Sequence, residues 1–488
     1  MLVQPIACRL GRVAVFLAAI HALSFAARAD YGGGSGTAES PYLIFTAGQL
    51  NAIGAQPADW DKHFKLMADI DLSGYRGTAF HRIGTPEDGP FAGTFDGNYK
   101  TISNFQWWSE WTRYVGLFGF VDGEQVRISN LTLVDPSVTT EIGQYAAALA
   151  GFVRAATITN CHVRRGVISG ESSVGALIGK KDGGTVTDCT ACASVRGASR
   201  VGGLIGHSYW GLIEHCEAVG DVTGCSESEC WAAGGLVGEN QNGVVADCHA
   251  RCTVRGSREV GGLIGLNATA SVRRCWTGGK VSGEQDIGGL IGRTDGGTIS
   301  DSYSLTDTAG VVFIGGLIGW HAPSCGCSVA VAGVIERCYA AGRVSGTSDL
   351  GGLAAVNEKS IITSSFWDTQ ATGCKSSAGG TAKTTKQMQS LSMYLSAGWD
   401  FAAEKQNGTE DIWCPPAPGD YPRLAWQTVT GDLDGDGNVD FRDFGLFARQ
   451  WRRIDNGFWS RRAFMATDGV IDLDDLDVLT RSWLSGGK

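Results

Sequence analysis

The sequence predicts an all-β chain, a right-handed parallel β-helix solenoid of about 27 residues per turn, with a small α-helical module behind it. Three observations predict this. A leucine-centred knot of the form VGGLIG recurs through the middle of the chain. β-Branched and small residues follow each knot at fixed offsets. Near the C-terminus an aspartate-rich loop, GDLDGDGNVDFRD, precedes an amphipathic stretch that is repeated once more.

The first 29 residues read as a secretory signal. Arg9 and Arg12 form a positive start, Val13 to Phe25 an apolar core, and Ala27-Arg28-Ala29 a small-x-small cleavage site. The mature chain is therefore expected outside the cytoplasm, secreted or at the cell surface. No later segment reaches membrane-spanning length, so no span is expected after signal cleavage. Residues 30–115 read as an N-terminal cap and first turns. Within them Thr46 caps a short helix that turns Leu50 and Ile53 to one side. Such a helix would cover the open end of a coil, where strand edges are unpaired.

Residues 116–370 carry the repeat. The knot leucines are Leu117, Leu149, Leu177, Leu204, Leu236, Leu263, Leu290, Leu317 and Leu353. Nine residues on stands a β-branched residue, as at Ile158, Val186, Ile213, Val245, Val272, Ile299 and Ile362. Twelve on stands a small thiol or hydroxyl: Cys161, Cys189, Cys216, Cys248, Cys275, Ser302 and Ser365. The eighth unit carries an insertion, after which Ile335 and Cys338 resume the pattern. Six residues further comes a third mark: Val167, Val195, Val222, Val254, Val281, Thr308 and Val344. Three short β-rich runs per unit, with Gly inside them, exclude helix. One unit fits one turn of a three-sided coil whose identical side chains stack as ladders. The general preference of parallel crossovers makes the coil right-handed.

These VGGLIG units resemble the GLUG-motif repeats of secreted bacterial surface proteins, over roughly residues 31 to 427. The resemblance implies a β-helix and no single activity. Residues 371–427 are expected to close the far end of the coil. In an oxidising compartment the ladder cysteines are expected to be buried, unpaired small residues. Cys225/Cys230 and Cys374/Cys414, in irregular segments, are the better candidates for bridges. A metal site built on Cys325 and Cys327 lacks further ligands.

Residues 431–488 form the second strong signal. Asp432, Asp434, Asp436, Asn438, Asp440 and Asp443 fall at positions 1, 3, 5, 7, 9 and 12 of an EF-hand-like calcium loop, with Gly437 at the sharp turn. Phe444, Phe447 and Trp451 follow at helical spacing, and Leu476, Leu479 and Trp483 repeat them. The second loop keeps Asp468, Asp472 and Asp475 but has Phe464 and Ala466 where two ligands would stand. The duplicated unit resembles a type I dockerin. That resemblance implies Ca²⁺ as cofactor, a cohesin-like module as protein partner, and Phe441, Arg442, Leu473 and Asp474 as recognition positions.

A net charge of −10 with no visible basic stripe excludes a nucleic-acid partner. A polysaccharide, at the cell surface or outside it, is a candidate ligand. The residue before each ladder thiol gives the one candidate catalytic column. In it Asp188, His215 and Asp247 would lie on consecutive turns, about 4.8 Å apart. A solvated polar corner accounts for the same column. Trp107, Trp108 and Trp111 are expected to pack under the cap; stacking on sugar rings is the alternative. Two functions follow. The leading one is a non-catalytic extracellular scaffold or adhesin docked through its calcium module. The other is a polysaccharide lyase or glycoside hydrolase.

Overall fold

The computed structural model describes residues 30–224, 231–324, 331–402, 404–427 and Phe444. The signal segment, Cys225, Cys230, Cys325, Cys327 and both aspartate loops lie outside the described residues. The chain is all-β, with its strands in long parallel sheets consistent with a parallel β-helix. Each knot heads one strand of a nine-stranded sheet that runs from Phe118–Asp122 through Ile178–Asp182 and Ile264–Ala268 to Ala354–Asn357. Neighbours in it pair in register, as Ile178↔Ile205 and Ile264↔Ile291 show.

One turn contains four strands rather than the three read from sequence. Ser172–Gly175, Ile178–Asp182, Thr185–Thr187 and Thr190–Arg196 make up a single circuit. The knot itself is the reason: the backbone bends at Ala176 and Leu177 and divides one side in two. The third glycine of the knot permits this bend to nest against its neighbour. A Cβ on Gly206 would lie 2.4 Å from the backbone carbon of Ser173 one turn back. The circuit nevertheless has three corners, each a column of residues with left-handed backbone. Asp188, His215 and Asp247 belong to the first, Arg200, Glu259 and Asp286 to the second, Trp210, Asn242 and Thr269 to the third.

Every knot leucine is fully buried. The β-branched and thiol columns are buried as well, from Ile158 to Ile335 and from Cys161 to Cys338. Val167 departs from the pattern and is 54% exposed. The strand Thr157–Ser169 bulges between Arg164 and Gly166, so Ile168 takes the inward place and pairs with Val195. At the N-terminal end, Thr46 caps the helix Ala47–Gly54 and places Leu50 and Ile53 in the same core as the first strands.

The thiol column does more than fill space. Each side chain donates to the carbonyl two residues earlier, across the corner, as Cys248 does to Ala246 at 3.0 Å and Ser302 to Ser300 at 2.7 Å. It also accepts from the equivalent amide one turn back, as in Cys275 N–H to Ser302 Oγ at 3.0 Å. Burial pushes the Cys189, Cys248 and Cys338 thiols up, so they stay neutral. Cys374 is a buried free thiol, so the Cys374–Cys414 bridge is not formed. Cys374 packs in the coil's core, whereas Cys414 sits in the strand Trp413–Cys414 of a separate segment.

A second inward column escaped the sequence reading. Four residues past the knot leucine stand Lys181, Ser208, Asn240, Asn267, Thr294 and His321, all buried. They serve the third corner: Asn267 donates to the Ala270 carbonyl and Thr294 to that of Gly296. Lys181 is the outlier, with one bond from Nζ to the Trp210 carbonyl at 2.6 Å. Burial pulls its ammonium down to about 7.

A folded value below the ordinary 10.5 means that stability rises with pH from about 7 to about 10.5 and is lower below that window. Lys181→Met should remove this slope and raise stability near pH 6 by roughly 2–4 kcal/mol. Denaturant midpoints of both proteins across that range check it; an unchanged or lower midpoint at pH 6 contradicts it.

Candidate functional site

Asp188, His215 and Asp247 do stand on consecutive turns of one corner, each with φ near +50°. Asn and Asp tolerate this backbone best, which explains the column's composition. Their side chains do not converge on a site. His215 Nδ1 lies 3.9 Å from Asp188 Oδ1, both about half exposed. Asp247 turns the other way and is held by Arg274 at 2.7 and 2.5 Å. The pattern repeats where Arg337 grips Asp301 at 2.7 and 2.9 Å. Asp247 and Asp301 are 5% and 4% exposed. Their acceptor sites are committed to arginine rather than free for catalysis.

The next column outward is aromatic toward the C-terminal end, a feature legible in the residue after each ladder thiol or hydroxyl but missed by the spacing argument. His249 stacks on Trp276 at 4.8 Å between ring centroids, Trp276 on Tyr303 at 5.9 Å, and Tyr303 on Tyr339 at 4.7 Å. The C-terminal segment covers this ladder. Residues around Cys374 to Lys383 pack on the last turn, where Thr381–Lys383 pairs with Phe366–Asp368. The chain then runs back along the side of the coil and buries Met388, Tyr394, Trp399, Trp413 and Leu424 against the ladder. Trp426 Nε1 reaches the Arg274 carbonyl at 2.8 Å, and Tyr303 Oη donates to Gln427 at 2.9 Å. The segment expected only to close the end is therefore also a lateral strap. Beyond its tip, His249 and Arg251 both contact Glu217, and the His249 bond pulls its carboxyl down to about 2.

The second corner and the sheet beside it form a charged seam. Arg200 binds Glu239 at 2.5 Å and lies over the Trp231 ring. Burial, with help from Arg200 and Lys180, pulls His207 down to about 3. Two and three turns on from Arg200, Glu259 and Asp286 follow each other at the corner. Burial pushes Glu259 up to about 7 against the opposing pull of Arg293, and raises Asp286 as well. Glu259 Oε2 and Asp286 Oδ1 have no hydrogen-bond partner. The pair can hold a proton near neutral pH, but Asp286 has no exposed surface.

The long side of the coil carries what the sequence reading denied, a basic stripe. Arg164, Arg196, Arg251, Arg255 and Lys280 lie exposed in three adjacent outward columns, with Asp221 and Asp307 as acids among them. They are dispersed in sequence because the coil returns to this face once per turn. Trp108 heads the last of these columns, that of Arg196 and Arg255. Trp107 is buried as expected of cap packing, but Trp108 and Trp111 are 60% and 69% exposed. Among the described residues no group of three or more His, Cys, Asp or Glu is placed to hold a metal. None of their helices is long and apolar enough to cross a membrane.

The GLUG motif matches residues 197–223 and 229–255. Over 160 residues, 31% of this chain, the sequence is 32% identical to Halomucin of Haloquadratum walsbyi. Over 130 residues, 26% of this chain, it is 35% identical to a provisionally named Gly-rich membrane protein of Evansella cellulosilytica. The matched parts span 2% and 15% of those two proteins. Among solved structures, a candidate immunoglobulin A1 protease from Bacteroides ovatus aligns with 81% of this chain and 95% of its own, at 19% identity and a TM-score of 0.36.

Two outcomes follow from the ion pairs and the seam. Arg274→Met leaves the Asp247 carboxylate buried without its partner and should cost about 3 kcal/mol; Asp247→Asn combined with Arg274→Met should cost less. Unfolding midpoints of the single and double variants check this, and an equal or larger cost for the double variant contradicts it. For Glu259, a folded value above the ordinary 4.5 means a contribution fully present below pH 4.5 and lost as pH rises to about 7. Glu259→Gln keeps a neutral group there, so its gain over the parent should grow across that window. A gain that does not change with pH contradicts the assignment.

Proposed function

We propose that the protein is a non-catalytic extracellular or cell-surface scaffold, tethered through its C-terminal module. The observation that carries this reading is the engagement of the corner acids: Asp247 and Asp301 are each closed by an arginine one turn on. The aromatic face beside them is filled by the chain's own strap. The GLUG repeats in the coil and the two relatives, one named as a membrane protein, support a place at the cell surface. The proposed module holds one Ca²⁺ through Asp432, Asp434, Asp436, Asp440, Asp443 and the Asn438 carbonyl, and docks to a cohesin-like partner. The second loop, with Asp468, Asp472 and Asp475 alone, binds far more weakly.

A second reading, polysaccharide lyase or hydrolase, is favoured by one observation. Glu259 is protonated near neutral pH beside a second carboxylate, as general acid chemistry on a glycosidic bond requires. Against it stands the complete burial of Asp286.

Calorimetric titration of the full chain should show one clear calcium site, lost in Asp432→Ala/Asp436→Ala. Two equal tight sites, or none, contradict the module assignment. A panel of acidic and neutral polysaccharides should yield no reducing ends or unsaturated products. Products abolished by Glu259→Gln or Asp188→Ala would favour the enzyme.

A further inference from the structure

We infer that the long outward face of the coil binds a linear anionic polysaccharide, laid along the coil axis from Trp108 across Arg196 to Arg255. The inference deepens the scaffold reading and rests on its extracellular setting, but not on the calcium module.

The pairing register aligns Trp108, Thr139, Ser169, Arg196, Thr223 and Arg255 as one outward column, one residue per turn. It contains no carboxylate. Successive rungs are about 4.8 Å apart, so Arg196 and Arg255 present guanidinium groups about 10 Å apart on one line. On one side the next outward column adds Lys280, along with Asp221 and Asp307, and the column beyond it adds Arg164 and Arg251. This local cationic field stands out in a chain whose net charge is −10.

These cations are available. Arg196 has no ion pair among the described residues. Among the described residues Arg255 has an ion pair with Asp221 alone, at 3.9 Å with both side chains well exposed, a pairing worth little in water. Guanidinium groups bind carboxylate or sulfate in a fixed fork. The threonine and serine hydroxyls between them both donate and accept, as sugar hydroxyls demand. At the head of the column Trp108 exposes its indole, and Trp111 lies exposed three residues on. An exposed indole of this kind offers a stacking surface to the C–H face of a pyranose ring.

The charge and the shape together select a glycan. A stable protein interface requires a desolvated apolar centre, whereas this column is hydroxyl and guanidinium with Trp108 at its head. Nucleic acid favours a basic domain, which this acidic chain is not. A repeating polymer gains from a repeating surface, because each rung adds a contact that is intramolecular once the first is made.

Affinity electrophoresis of the full chain in gels containing polygalacturonate, dextran sulfate or neutral dextran tests this. Retardation by an anionic glycan, weakened by salt and absent with dextran, is the expected result. Arg196→Gln/Arg255→Gln should weaken binding roughly tenfold or more. Trp108→Ala should weaken it without changing the salt dependence. Both variants alter exposed side chains, so their circular dichroism and thermal midpoints should match the parent. No retardation by either anionic glycan, equal retardation by dextran, undiminished binding by the arginine variant, or tighter binding of single-stranded DNA would each overturn the inference. Asp432→Ala/Asp436→Ala should bind glycan normally. If the parent shows no calcium site yet still binds glycan, the tether reading fails and this inference stands.

Discussion

The fold depends on one hydrogen-bonded device at its first corner. A coil of strands must turn sharply, and a left-handed residue makes the turn at about 1 kcal/mol or more for an ordinary side chain. The turn also takes the carbonyl before it and the amide after it out of the regular ladder. The Cys/Ser column answers both problems. Cys248 Sγ donates to Ala246 across the corner, and Cys216 N–H donates to Cys248 Sγ from the turn before. This explains why cysteine and serine replace each other there. Each is small enough for the interior and can donate and accept once.

The other corners use different chemistry for the same task. The column of Asn240, Asn267 and Thr294 bonds within the interior and reaches the third corner's carbonyls. The second corner is stabilised from outside by side chains on the adjoining sheet, as Arg200 and Glu239 show. Because the inward columns fix the circuit, the outward columns vary from turn to turn. Aromatic rings gather under the strap, charges along the seam, and guanidinium groups on the long face. A binding face on such a coil is therefore assembled from outward columns, one residue per turn, rather than from a single strand.

The inward columns were legible because burial selects residue type at a fixed offset. Leucine, β-branched residue and thiol recur together, and the structure buries all three. Val167 misled because a bulge inserts one residue, which the spacing alone does not reveal. The polar column at Lys181 and the aromatic column at Trp276 share the same periodicity. They were missed because their residue types change along the column. The strap was illegible for another reason: Tyr303 and Gln427 meet across 124 residues, and no local pattern records that contact. The arginine stripe was hidden by the same dispersal, since one cation per turn never forms a run.

The central claim is that the thiol column is a continuous buried ladder that locks one corner of every turn. Alkylation of the native protein followed by mass spectrometry tests it directly. Cys192 faces outward on the long side and is exposed. It should be labelled quickly, while Cys161, Cys189, Cys216, Cys248, Cys275 and Cys338 remain unmodified until the protein is denatured, and all six should then react without prior reduction. Labelling of the ladder thiols at the rate of Cys192, or their recovery as disulfides, would contradict the account.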